Sequence, residues 1–293
     1  MTISRRHALF GLFSFGLMVF GFDTIRNLIA VTLDWENKHS SYVGMIPFIT
    51  AVLLYSDRKN IFAKLKSSVL PAAAGFAIGA ILYGLGRIYG PRLGENDHLA
   101  LMTSALIVAL LGGFLLIYGS AAFKAALFPL LFLFLTIPIP SRVMDGIVRL
   151  LQHGSASTVS LLFTLTGTPA YRDNVVFVLP GVTIEVAEAC SGIRSTLAIL
   201  VVTLLAAHML LHSNWRRTAL LLTVIPISLL KNAVRIVTLT LLAIHVDMSF
   251  LTGKLHNDGG IVFMMIGLGL MYPVLAILVR SEEKTYISNG ARS

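Results

Sequence analysis

Residues 218–246 run TALLLTVIPISLLKNAVRIVTLTLLAIHV. The stretch is longer than the about 20 apolar residues that cross a bilayer, yet its interior carries Lys231, Asn232 and Arg235. A lysine or arginine at the centre of a membrane helix costs about 2.5–3.5 kcal/mol on insertion scales. Lys231 and Arg235 are i and i+4, and Asn232 and Arg235 are i and i+3, so all three share one broad face. That face must point into a helix bundle or a wet cavity. Snorkelling of the long side chains to the interface is the alternative. It suits Lys231 better than Arg235, which lies past the midplane if the helix enters from the cytoplasm near Thr218.

The rest of the chain has the same character. Of 293 residues, 56% are apolar and only 13% charged, with a mean hydropathy of +0.83, whereas soluble domains run nearer one quarter charged. The net charge of +9 lies between apolar runs, which points to orientation in a membrane and contact with anionic lipids rather than to nucleic acid. Apolar runs near 8–33, 41–55, 69–88, 99–118, 124–140, 191–211, 218–246 and 259–279 predict an all-α polytopic membrane protein of about eight spans. Ser4-Arg5-Arg6-His7 looks like a twin-arginine export signal, but no small-x-small cleavage site follows Phe22, so a first span with a basic flank is expected. Residues 1–293 are expected to form a single integral membrane domain. Within it, 1–140 hold five spans, 141–190 an extracytoplasmic or interfacial segment, 191–279 three more spans, and 280–293 a cytoplasmic tail.

The densest basic clusters, at 58–66 and 216–217, set the orientation, with both termini cytoplasmic. Segment 141–190 then faces outward. Residues 143–166 suit a helix along the interface. Val175-Val176-Phe177-Val178-Leu179 and Val182-Thr183-Ile184-Glu185-Val186 flank Pro180-Gly181, the pattern of a β-hairpin. An open-edged hairpin cannot cross lipid, so a small extracytoplasmic hairpin at 174–187 leads into Cys190.

Cys190 is the single cysteine, which excludes an internal disulfide, a cysteine-rich zinc site and an iron–sulfur cluster. It opens the sixth span with Ser191, Gly192 and Arg194, and a helix N-terminus favours thiolate. A buried, inert thiol is the alternative. Gly192 leaves space for another backbone near the sulfur. Arg194 lies one turn on, where it either lowers the thiol pKa, touches a substrate carboxylate, or pairs with Glu188 or Glu185. Glu188 either orients Arg235 or His256 or closes the hairpin as a solvated acid. His256 sits in an outer loop before the eighth span, and His245 is a weaker alternative to it. By this topology a thiol, a guanidinium and an imidazole come out at one depth on one side. Together they can supply a nucleophile, an anion stabiliser and a proton carrier.

Ala189-Cys190-Ser191-Gly192-Ile193-Arg194-Ser195, Asn232-Ala233-Val234-Arg235-Ile236, and His256 followed by Gly259-Gly260 resemble the motifs of the exosortase/archaeosortase family of membrane-embedded cysteine transpeptidases. Ser40-Ser41-Tyr42-Val43-Gly44-Met45-Ile46-Pro47 is similar to that family's second-helix segment. The resemblance spans about 40 to 280. It implies processing of exported proteins that end in a sorting tail: a Pro-Glu-Pro-like motif, a transmembrane helix and a basic cluster. By the same resemblance Cys190 is the nucleophile, Arg235 the stabilising arginine and His256 the general acid/base. A thioester at Cys190 would be released by an amine acceptor or by water. Arg194, Asn232, Glu188, Ser191 and Gly192 are supporting candidates, and the tail motif is expected to dock near the hairpin 174–187, adding a strand or lying along it. No cofactor or metal is expected, because no clustered metal-ligand spacing occurs. Two rivals share many of these features. A peptidase that only hydrolyses differs in its acceptor. A transporter or flippase for an anionic lipid or glycan would use the Lys231/Arg235 cluster and dispense with Cys190.

Overall fold

A computed structural model describes residues 2–33, 42–187, 191–251 and 260–290, with side chains in the last helix described over 261–284. Cys190, Glu188 and His256 lie outside the described residues. The chain forms two compact units, Met1–Met144 and Asp145–Ser293.

In the first unit, α1 (Ile3–Phe20) and α2 (Phe22–Leu33) meet at a 76° bend. Gly21 sits at the bend, where a Cβ would come within 2.5 Å of Leu106 Cδ1. Helices α3 (Ile46–Ser56) and α4 (Arg58–Ile61) are short, and the long pair α5 (Val69–Tyr89) and α6 (Glu95–Ile117) follows. Small residues bring that pair into backbone contact, as membrane helices do when hydrophobicity cannot drive them together. A Cβ on Gly75 would lie 3.0 Å from Gly112 Cα, and one on Gly79 would lie 3.2 Å from the Ala105 carbonyl. Below α6, Tyr118 packs with Phe10, Phe62 and Phe114, and its hydroxyl hydrogen-bonds His7 Nδ1 at 2.8 Å. Then come α7 (Ser120–Ala125), α8 (Leu127–Phe132) and, after a 3-10 turn and a 90° bend, α9 (Ser141–Leu165). The Asp97 carboxylate accepts from the Ser141 N–H at 2.6 Å and so caps the start of α9.

From Asp145 onward α9 belongs to the second unit. Val148, Leu151, Ser155, Val159 and Phe163 form its buried stripe at helical spacing, while Leu150, Leu161 and Leu165 stay exposed. A three-stranded antiparallel sheet follows, β1 (Tyr171–Asp173), β2 (Val176–Leu179) and β3 (Val182–Glu185), in the order β1-β2-β3. Leu179 pairs with Val182 across Pro180-Gly181, and Gly181 takes a φ of +82° that glycine accepts without strain. The expected hairpin is therefore present, with β1 as a third strand that the sequence did not announce. Phe177, Leu179, Ile184 and Val186 point inward and pack on Ala156, Val159 and Phe163 of α9.

The unit is completed by α10 (Ile193–Leu210), α11 (Asn214–Leu222), α12 (Val224–His245), a 3-10 turn at Met248–Leu251 and α13 (Gly260–Gly290). Near the end of α13, Glu282 accepts from the N–H groups of His212 and Ser213, at 2.9 and 2.7 Å. The same carboxylate pairs with Arg216 at 3.4 Å, and both side chains are buried. Arg216, one of the basic residues that set the expected orientation, thus joins a buried ion pair.

Among the described residues, five helices are long and apolar enough to cross a membrane, or seven if each bent pair counts as one span, and the expected second span is the shorter apolar stretch Val43–Ser56. Leu70, Phe48 and Ile261 are among many large apolar side chains left exposed, as lipid-facing surfaces require. The chain is a multi-pass membrane protein.

Gly119 tests the first unit. Its φ is +89°, and a Cβ there would sit inside the contact distance of the Lys66 carbonyl, at 1.6 Å. Gly119→Ala is expected to abolish the folded, monodisperse protein in detergent. Gly84→Ala, with nothing within 4 Å of the added Cβ, should raise the unfolding midpoint slightly, since alanine stabilises a helix interior by about 0.5–1 kcal/mol over glycine. Size-exclusion profiles and thermal unfolding of the two variants would check this.

Candidate active site

The site is built around the first turn of α10. Gly192 caps it in a left-handed conformation, φ +75° and ψ +15°, which any side chain would strain. A Cβ there would also lie 2.9 Å from Asn232 Oδ1. Its carbonyl accepts three bonds: from the Thr196 N–H at 3.0 Å, the Thr196 hydroxyl at 3.0 Å and the Ser195 hydroxyl at 2.9 Å. The first N–H groups of α10 have no intrahelical carbonyl to satisfy them.

Helix α12 reaches this turn with two buried polar groups. Lys231 is 2% exposed and donates through Nζ to Ser195 Oγ. Asn232 is 1% exposed and donates through Nδ2 to Ser155 Oγ on α9, at 3.0 Å. Gly267 of α13 makes room for the lysine stem, since a Cβ there would lie 3.2 Å from Lys231 Cδ. Ser191 Oγ is also buried and meets no hydrogen-bond partner among the described residues. Polar bonds thus join α9, α10 and α12 around Gly192, two residues after Cys190 in sequence.

One helical turn beyond Lys231, the half-buried Arg235 lines a cavity of about 200 Å³. Thr183, Ile184 and Glu185 of β3 form one wall, Ile236, Leu239 and Thr240 of α12 another, and Leu251 of the 3-10 turn closes a third side. Ile184 and Val186 of the sheet share one apolar cluster with Ala233 and Val237 of α12. Gln152 of α9 adds a hydrogen bond to the Val186 carbonyl at 3.1 Å.

Of the residues singled out in the sequence, Gly192 and Asn232 come into direct contact, and Arg235 stands at the hairpin. Ser191 is buried beside them in sequence. Arg194 is exposed on the first turn of α10, and His245 is exposed near the end of α12, where its Nδ1 hydrogen-bonds the Leu241 carbonyl at 2.9 Å. Of the Lys231/Arg235 cluster that the transport alternative would use, Lys231 is enclosed and Arg235 lines the cavity. Sequence reasoning missed Ser195 and Ser155. The signal for both was available, because a buried ammonium or amide needs an oxygen acceptor on a neighbouring helix.

This geometry makes a stability prediction. Ser195→Ala removes the hydroxyl that accepts from the enclosed Lys231 and should cost about 1–3 kcal/mol. Lys231→Met, which replaces the ammonium with an apolar side chain of similar length, should make the further loss of Ser195 nearly neutral. A double-mutant cycle of unfolding in detergent would give a coupling energy, and additive effects would refute the link.

Residues 35–273 match the family described as transmembrane exosortase. No curated protein and no solved structure matches the chain. The family match covers well over half of the sequence, and the chain belongs to the transmembrane exosortase family.

Proposed function

We propose that this transmembrane exosortase cleaves exported proteins near a C-terminal sorting tail and hands the shortened chain to an amine or to water. Cys190 is the nucleophile, Arg235 the anion stabiliser and His256 the proton carrier. The protein sits in the inner membrane with both termini cytoplasmic and its site on the extracytoplasmic side. The observation that carries this reading is the cavity where Arg235 meets β3, the strand that continues in sequence toward Cys190.

The chemistry follows from the groups assigned. The Cys190 thiolate attacks the carbonyl carbon of the scissile peptide bond, and the guanidinium of Arg235 donates hydrogen bonds to the resulting oxyanion. The carbon–nitrogen bond then breaks, the leaving amine takes a proton from the His256 imidazolium, and the acyl group stays on sulfur as a thioester. An incoming amine or water gives a proton to His256, attacks the thioester and expels the thiolate. No net proton is consumed in transfer to an amine, so the enzyme returns to its starting state. The start of α10 supports this assignment, because unpaired N–H groups at a helix N-terminus favour an anion. The bonds through Ser195, Lys231 and Asn232 support it further by holding that turn in place.

The test is processing in cells of a tagged exported protein that bears a Pro-Glu-Pro-type tail, a transmembrane helix and a basic cluster. Wild type should shorten it. Cys190→Ala and His256→Ala should leave it full length, and Arg235→Ala should slow processing by about 100-fold or more, the size of effect seen when an oxyanion donor is removed. Mass spectrometry of the new C-terminus would separate transfer from hydrolysis. Processing by Cys190→Ala at the wild-type rate would overturn the assignment.

A further inference from the structure

The sheet leaves one edge open toward the site, and its parity decides which groups lie there. Leu179 and Val182 flank the two-residue turn as a hydrogen-bonded pair, Phe177 and Ile184 repeat that pairing two residues on, and the Val186 N–H donates to the Val175 carbonyl at 2.9 Å. Thr183 and Glu185 have the opposite parity. Their N–H and C=O groups therefore turn away from β2, to the side where no further strand pairs with β3 among the described residues. Both residues also line the cavity that holds Arg235. An unblunted edge with two donors and two acceptors is a template for another extended chain.

We infer that an extended segment of the polypeptide substrate pairs with β3 as a fourth strand, bonded to the main chain of Thr183 and Glu185 and passing Arg235. This inference rests on the processing reading and names how the same site takes its substrate. Recognition through the main chain selects for an unfolded, extended stretch of protein rather than for particular side chains. Selectivity then falls to the apolar wall of Ile236, Leu239 and Leu251, which meets alternate substrate side chains. A lipid or glycan has no row of amides to pair with this edge.

Photocrosslinking would test it. A benzophenone side chain is placed at position 183, or at position 171 on the opposite edge of the sheet, in the Cys190→Ala background so that binding is read without turnover. The probe is the tagged exported protein described above. Adducts mapping to its tail are expected from 183 and not from 171. Equal adducts from both positions, none from 183, or adducts only within the enzyme's own chain would overturn the pairing. In a separate comparison, Glu185→Pro removes one outward N–H at a place where an edge strand tolerates proline, and should reduce processing by about 10-fold or more. Glu185→Gln keeps that N–H and should process the substrate several-fold faster than Glu185→Pro. Equal losses in the two variants would show that the side chain, not the main chain, matters and would also overturn it. Processing without crosslinks at 183 would sink the strand pairing alone. Crosslinks at 183 with no processing by wild type would sink the enzymatic reading and leave the groove as a peptide-binding edge.

Discussion

The second unit depends on the burial of two polar side chains, Lys231 and Asn232, in the middle of an otherwise apolar helix. Apolar neighbours cannot satisfy an ammonium or an amide, so the surrounding helices must bring oxygen atoms to fixed points. Ser195 meets the first and Ser155 the second, while Gly192 and Gly267 give up their side chains to make the space. A hydrogen bond has a direction and a length, so it fixes the rotation and rise of each helix more tightly than lipid-like packing does. The start of α10 inherits that registry.

The sheet is held by a different force. Phe177, Leu179, Ile184 and Val186 alternate with exposed Val178, Thr183 and Glu185, and full burial of one such apolar side chain contributes about 1.5–3 kcal/mol. A slip of one residue would turn every inward side chain outward. Apolar packing therefore fixes which face meets α9 and α12 but leaves the edge of β3 unpaired. The site combines a rigid polar junction beneath with a main-chain edge above, and Arg235 belongs to the helix that carries both.

What the sequence disclosed was local. Long apolar runs located the spans, β-branched runs about Pro180-Gly181 located the hairpin, and charges inside 218–246 identified a helix with a buried polar face. Family motifs supplied Cys190 and His256, which lie outside the described residues. What it concealed was contact between distant segments. The first apolar run, near 8–33, bends at Gly21, where α6 presses against it. Strand β1 is three residues long, too short for alternation to register, and forms because β2 offers it a partner. Ser195 and Ser155 look like ordinary small residues until Lys231 and Asn232 are brought beside them. The cavity at Arg235 has walls from three separated segments, so no single window of sequence contains it.

Glu282 carries a consequence of its own. The carboxylate that closes the beginning of α11 comes from a residue 70 positions further along the chain, near the end of the last helix. As the protein is made, the turn at His212 and Ser213 is synthesised and threaded into the membrane long before its cap exists. Its N–H groups, and the Arg216 guanidinium beside them, must lean on water or lipid headgroups until α13 arrives. The arrival of α13 is thus the event that locks the earlier turn before α11.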